Sequence, residues 1–351
     1  MKHHFAPLIC LLALFAVMTH CSPKEESGLS ALYQQNRLPL RPNPYIELPL
    51  GSIQPESWLK EMLLRQKTGA TGHLDEWYPQ VMGPRNGWLG GDGDQWERGP
   101  YWLDGLVPLA YILKDEELIT KAIPWIEWAL NSRQPDGYFG PSEDFPAEKG
   151  LQRDNSHDWW PKMVMLKVLK QYYSATGDNR VIDLFTGYFR YQLEQLPKTP
   201  LGHWTFWAEY RACDNLMMVY WLYNITGEKF LLELADLIHQ QAFNFTEAFL
   251  NGDHLSRPGS LHCVNLAQGI KEPAVYYQQH PEQKYPFAAD PVRNEAVDEF
   301  PDSIRQGAER GEIRDLGQCE KPQFLHADRG NCDVLSRQVV AQIPDEQQAE
   351  S

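Results

Sequence analysis

The stretch Tyr172-Tyr173-Ser174-Ala175-Thr176-Gly177-Asp178 recurs fifty residues later as Leu222-Tyr223-Asn224-Ile225-Thr226-Gly227-Glu228. In both copies an aromatic helix end runs into Thr-Gly-acid. A new apolar run follows, Val181 to Phe189 in the first and Phe230 to Ile238 in the second. Each glycine fits the left-handed residue that ends a helix. The acid after it suits the positive N-terminus of the next one. Leu109 to Leu118 and Ala274 to Tyr285 read as degenerate copies with other turns.

Outward from this repeat, Leu103 to Leu130, Lys162 to Tyr173 and Leu216 to Tyr223 carry apolar residues at three- and four-residue spacing, the helical period. Alternating β-branched runs are scarce, and short Gly/Pro/Asp turns separate the segments. A unit of about fifty residues holding two helices predicts an all-α fold of hairpins arranged as an (α/α) toroid. An open solenoid is the plainer alternative.

Composition narrows the partners. The 351 residues hold 32 Lys and Arg against 47 Asp and Glu, a net charge of −15. Such a chain lacks the basic clusters that a phosphate backbone requires, so no nucleic-acid partner is expected. Twelve Trp and 42% hydrophobic residues exclude a disordered chain. Aromatic residues in this excess fill a core and also line sites that stack on sugar rings.

Residues 1–21 read as an export signal: a polar start, then an apolar run from Leu8 to Met18 too short to span a bilayer. The run ends at Cys21, which resembles a bacterial lipoprotein cleavage site. The expectation is an exported protein lipidated at Cys21 and held at the outer membrane or cell surface by that anchor alone. Periplasmic or secreted placement is the alternative. Residues 22–45 read as a tether and 46–285 as the barrel. Residues 286–351 form a tail without Trp or Tyr, carrying 7 Lys/Arg and 14 Asp/Glu. It reads as weakly structured, or as the product of a frameshift. No Cys pair suggests a disulfide or zinc framework, and Cys213 and Cys263 read as small buried hydrophobes.

Aromatic and charged residues cluster just before helix starts: Trp96 to Asp104, Asn155 to Trp160, His203 to Asn215 and His254 to His262. The repeat places these clusters on one rim, where indoles beside polar groups would form a sugar site. The candidate substrate-binding residues are Glu97, Trp102, Asp104, His157, Asp158, Trp159, Arg211, Asp214 and His262. His157 could bind a hydroxyl or shuttle a proton. Asp104, Glu97 and Asp158 could supply carboxylates, against readings as an ion pair with Arg98 for Glu97 and as helix caps for the two Asp. Arg211 with Asp214 could hold a sugar carboxylate or hydroxyl pair, against a local i,i+3 pair. Trp102, Trp159 and Trp204 could stack on sugars or fill the core. His254, His262 and Cys263 do not make a metal cage.

Several stretches resemble glycoside hydrolase family 127, the β-L-arabinofuranosidase-like family, over roughly residues 45–285. They are Trp96 to Leu106, Gln134-Pro135-Asp136-Gly137-Tyr138-Phe139-Gly140, Arg153 to Trp160, Arg211 to Leu216, and His262-Cys263-Val264-Asn265. The resemblance implies an (α/α)6 catalytic barrel, followed in the family by β-sandwich modules, and exo-hydrolysis of plant glycans. His157 falls where the family has an active-site His, and a second family His is replaced near Arg211. Family members carry an acid/base Glu after the equivalent of Tyr285. Further on, a Glu-x-Cys and a later Cys pair bind zinc in the characterised branch. Neither motif follows Tyr285 here, since Cys319-Glu320 and Cys332-Asp333 do not reproduce the spacing. The resemblance therefore implies an incomplete toroid, zinc ligands absent from this chain, and unassigned catalytic residues.

The leading reading is a glycoside hydrolase on arabinose-containing or pectic plant glycans, in a truncated and inactive form if the tail is not native. A non-catalytic glycan-binding lipoprotein is one alternative. A sugar epimerase or polysaccharide lyase on the same toroid is another.

Overall fold

A computed structural model describes residues 32–252 and 262–288, and the fold belongs to the unit that begins at Gln34. The leader with Cys21, residue His254, and the sites around Cys319 and Cys332 lie outside the described residues. The helices are α1 (Ser57–Thr68), α2 (Ala70–Trp77), α3 (Pro79–Met82), α4 (Arg98–Leu113), α5 (Glu116–Asn131), α6 (Trp159–Thr176), α7 (Arg180–Gln195), α8 (Trp207–Tyr210), α9 (Ala212–Thr226), α10 (Phe230–Gln241), α11 (Phe245–Leu250), α12 (Cys263–Gly269) and α13 (Lys271–Tyr276). No strand occurs among the described residues.

The hairpins form two layers. Helices α4, α6, α9 and α13 pack in sequence as an inner row, and α5, α7 and α10 form the outer row. Burial follows this division. Helix α6 buries twelve of its 18 residues, whereas α7 buries six of 16 along one stripe. An inner helix is apolar nearly all round, and an outer one is amphipathic. This is the layered helical-hairpin architecture of an α/α toroid.

The repeated turns are built alike. Gly177 and Gly227 both have φ +71°, and each donates its N–H at 2.8 Å to the aromatic residue four back, Tyr173 or Tyr223. Thr176 Oγ1 and Thr226 Oγ1 each accept the N–H of the following acid at 3.3 Å. Asp178 Oδ1 then accepts Arg180 N–H at 3.0 Å, covering the start of α7. The degenerate copy between α4 and α5 places Lys114 in the left-handed region (φ +54°), and Asp115 caps α5 by accepting Leu118 N–H at 3.2 Å.

The segment from Asn36 to Leu50 straps the C-terminal ends of the inner helices. Arg37 N–H donates to Asn224 Oδ1 (2.9 Å), and Tyr223 O–H donates to Leu38 O (2.6 Å). Arg41 N–H donates to Gln278 O (2.8 Å), and Leu50 N–H to Ser174 Oγ (3.0 Å). From Asn36 onward, the stretch read as a tether is thus hydrogen-bonded to the helical body. Helix α1 buries no side chain, and Trp58, Leu59 and Met62 stand exposed on it. Cys213 is buried as expected, whereas Cys263 is exposed because it opens α12 at the rim.

Candidate active site

The N-terminal ends of α4, α6 and α9 share the rim opposite the strap. At the α4 end stands Glu97, at the α6 end Trp160, and at the α9 end Arg211. The turn of α8 brings in Trp207, and the start of α12 brings in His262, Val264 and Asn265. Glu97, Tyr101, Trp207, Arg211, His262 and Val264 line an open cavity of about 120 Å³.

Arg211 is the centre of this site and only 4% exposed. Its Nε donates to Asn265 Oδ1 at 2.7 Å, and Nη1 donates to Tyr101 Oη at 3.0 Å. Nη1 also lies 3.4 Å from Glu97 Oε2. The guanidinium carbon stands 4.6 Å from the ring centroids of both Trp160 and Trp207. A buried cation costs several kcal/mol in lost hydration. Two indole faces, two neutral acceptors and one carboxylate offset that cost. Glu97 Oε2 also accepts the Trp160 Nε1–H, so the carboxylate is oriented from two sides. The His262 ring meets Trp207 edge-on at 5.1 Å. The cavity thus combines an indole wall, a carboxylate acceptor, a guanidinium donor and an imidazole, the groups that recognise sugar hydroxyls.

A family model for the β-L-arabinofuranosidase GH127 catalytic domain matches residues 52–300. This chain belongs to glycoside hydrolase family 127. Comparisons with curated proteins and with solved structures return no match.

In this family 127 domain, the cavity gathers three of the residues singled out from sequence: Glu97, Arg211 and His262. Glu97 does not pair with Arg98, whose Nη2 reaches the fully buried Asp94. Arg211 and Asp214 do not act as a pair either. Asp214 accepts from Lys271 on α13, while Arg211 turns to Glu97, Tyr101 and Asn265. Burial works against the Lys271 charge, but Asp214 and then Cys213 hold its pKa above the usual range.

The other candidates stand elsewhere. Trp102 is 6% exposed; its Nε1–H donates to Thr71 O at 2.8 Å and its ring meets Trp125 edge-on at 5.6 Å. Asp104 is buried between α4 and α6, 2.8 Å from Lys167 Nζ and 2.7 Å from Gln171 Nε2. Asp158 caps α6 by accepting Trp160 N–H (3.1 Å), and it also accepts from Trp96 Nε1 (2.9 Å) and Thr205 Oγ1 (2.8 Å). Trp159 is buried, with its Nε1–H on Thr199 O at 3.0 Å. His157 is exposed. Its Nδ1 lies 2.9 Å from Ser156 Oγ, and its ring stands between Tyr138 (5.3 Å) and Trp204 (6.3 Å).

Tyr101 and Trp207 line the cavity but were not among the candidates. Each sits one helical turn from a residue that was: Tyr101 at i+4 from Glu97, and Trp207 at i−4 from Arg211. That spacing shares a helix face and is the sequence signal for both. Among the described residues no three His, Cys, Asp or Glu side chains converge as metal ligands. The described donors alone make no zinc site, and no step is derived through a metal. Burial pushes the Cys213 thiol well above its usual range, the opposite of an activated thiolate.

Proposed function

We propose that this family 127 domain binds a terminal arabinofuranosyl unit of a plant cell-wall glycan in the Arg211 cavity and hydrolyses its glycosidic bond. The observation that carries the reading is the Glu97–Arg211 pair beneath the Trp207 and His262 wall. A sugar hydroxyl both donates and accepts, so it can bridge a carboxylate and a guanidinium while the ring's CH face rests on an indole. Hydrolysis needs a proton donor and a base or nucleophile at the bond. Glu97 is the carboxylate that the described lining supplies for one of these roles.

A glycan-binding protein without turnover is the second reading. It is favoured by the single carboxylate among the described lining residues. Incubating the full chain with arabinofuranosyl oligosaccharides, with calorimetry in parallel, separates the two. Release of arabinose supports the enzyme, and retention without release supports the binding protein. Neither release nor retention removes the carbohydrate reading.

The same proposal includes export and anchoring through a lipidated Cys21. No described helix is long and apolar enough to cross a membrane. Cys21→Ala should release the protein from the membrane fraction; unchanged fractionation would leave no role for the anchor.

A further inference from the structure

We infer that Lys162 is a positioning residue for His157: its buried ammonium holds the Ser156 backbone so that the Ser156 hydroxyl meets His157 Nδ1 and the imidazole is left with Nε2 as its open nitrogen. Lys162 sits in the first turns of α6 and is 1% exposed. Its Nζ donates to Ser156 O and lies 5.0 Å from the centroid of the Tyr138 ring. The Tyr138 hydroxyl lies 3.0 Å from the same Ser156 O. Ser156 N–H donates to Asp144 Oδ1 at 2.8 Å, so both backbone groups of Ser156 are held. The next residue is His157, whose ring is tilted against Tyr138 and stacked on Trp204. His157 Nε2 hydrogen-bonds to none of the described residues.

A lysine is an expensive way to satisfy one carbonyl. Full burial costs an ammonium much of its hydration, and a serine or a water would cap Ser156 O without that penalty. What the lysine adds is a positive charge that acts on the imidazole. Lys162 faces Asp158 at the cap of its own helix and Asp144 from the preceding loop, with the Tyr138 ring beside it. His157 faces Lys162 and Asp144. Burial pulls the Lys162 pKa down to about 7, with Asp158 and Asp144 opposing. Partial desolvation of the otherwise exposed imidazole also lowers the His157 pKa, and the Lys162 charge adds to that effect while Asp144 opposes it. When acid would protonate His157, Lys162 is already charged and resists it. The outward Nε2 therefore stays on a neutral imidazole down to lower pH than in a free histidine. This inference goes beyond the glycosidase reading and does not depend on which sugar is bound.

The test is an NMR titration of the full chain labelled with 15N-histidine, with His157 assigned through His157→Gln. In the wild type the His157 nitrogens should show a second inflection near pH 7, where Lys162 gives up its proton. In Lys162→Met that inflection should vanish, the His157 midpoint should rise, and the two tautomers should mix. A single unperturbed wild-type inflection overturns the inference without any variant having to fold. An unchanged midpoint in a folded Lys162→Met also overturns it. Neither failure touches the arabinofuranosyl reading, which the turnover and binding assays decide separately.

Discussion

Arg211 Nη1 lies 3.4 Å from Glu97 Oε2 across 114 residues of sequence, joining the start of α4 to the start of α9. Both partners line the cavity, and Trp160 holds the carboxylate through its indole N–H. Glu97→Gln keeps an acceptor for Trp160 but removes the charge facing Arg211. Its melting temperature should fall, because the buried Arg211 loses its carboxylate counter-charge. In the folded variant affinity for an arabinofuranosyl ligand should fall about tenfold, a loss of roughly 1.4 kcal/mol typical of one charge-assisted hydrogen bond. Unaltered affinity in calorimetry would place the sugar elsewhere.

The two tryptophans Trp207 and Trp102 should separate cleanly. Trp207→Ala removes the cavity wall and should weaken sugar binding by about 1–2 kcal/mol, the scale of an aromatic contact. Trp102→Phe leaves Thr71 O without its donor and should cost about 1–3 kcal/mol of stability. Affinity in the folded Trp102→Phe protein should be unchanged. A reversed pattern in denaturation and titration would contradict the placement of both side chains.

Asp104 is a structural prediction. Its carboxylate joins Lys167 and Gln171 of α6 and is buried, while Lys167 keeps 23% exposure. Asp104→Ala should cost about 3 kcal/mol, the lower end for a broken buried pair because the lysine retains some water. Chemical denaturation reads this directly. A neutral outcome would mean that water replaces the carboxylate between α4 and α6.

The pH dependence of stability should carry the mark of Lys162. Its folded pKa of about 7 lies below the usual 10.5. Between those values the unfolded chain binds the extra proton, so this group's contribution rises as pH increases from 7 toward 10.5. Below pH 7 both states are charged, and the full desolvation penalty is felt. One proton corresponds to a slope of at most about 1.4 kcal/mol per pH unit. Lys162→Met should flatten the wild-type stability curve in that window. Parallel curves for the two proteins would disprove the buried titration.

The repeated glycines should respond unequally. A Cβ at Gly177 meets no atom within 4 Å, so Gly177→Ala should cost only its left-handed backbone, roughly 1–2 kcal/mol. A Cβ at Gly227 would stand 2.7 Å from Arg37 Nη1. Arg37 is exposed and can swing aside, so Gly227→Ala should add only the loss of its guanidinium bonds to Asn224 O and Ile225 O, readable as faster proteolysis near Arg37. Equal losses at the two sites would mean that the Arg37 guanidinium adds nothing to the hold on α9.

The hairpin architecture was legible because it depends on local rules. Helical period, a left-handed glycine and a capping acid all act within a few residues, and Tyr172–Asp178 and Leu222–Glu228 state them twice. The same locality made the rim visible, since helix starts carry the polar clusters. What sequence could not decide was which rim residues meet. Arg211 has Asp214 as a near neighbour in sequence but binds Glu97, Tyr101 and Asn265. Trp102 and Trp159 belong to the same clusters as Tyr101 and Trp160, yet helical rotation turns them away from the cavity. Those outcomes depend on the azimuth of each helix and on partners from other helices and loops, up to 114 residues distant. Packing sets both, because a buried charge or indole N–H takes the one geometry that satisfies it, and only the folded chain supplies that geometry.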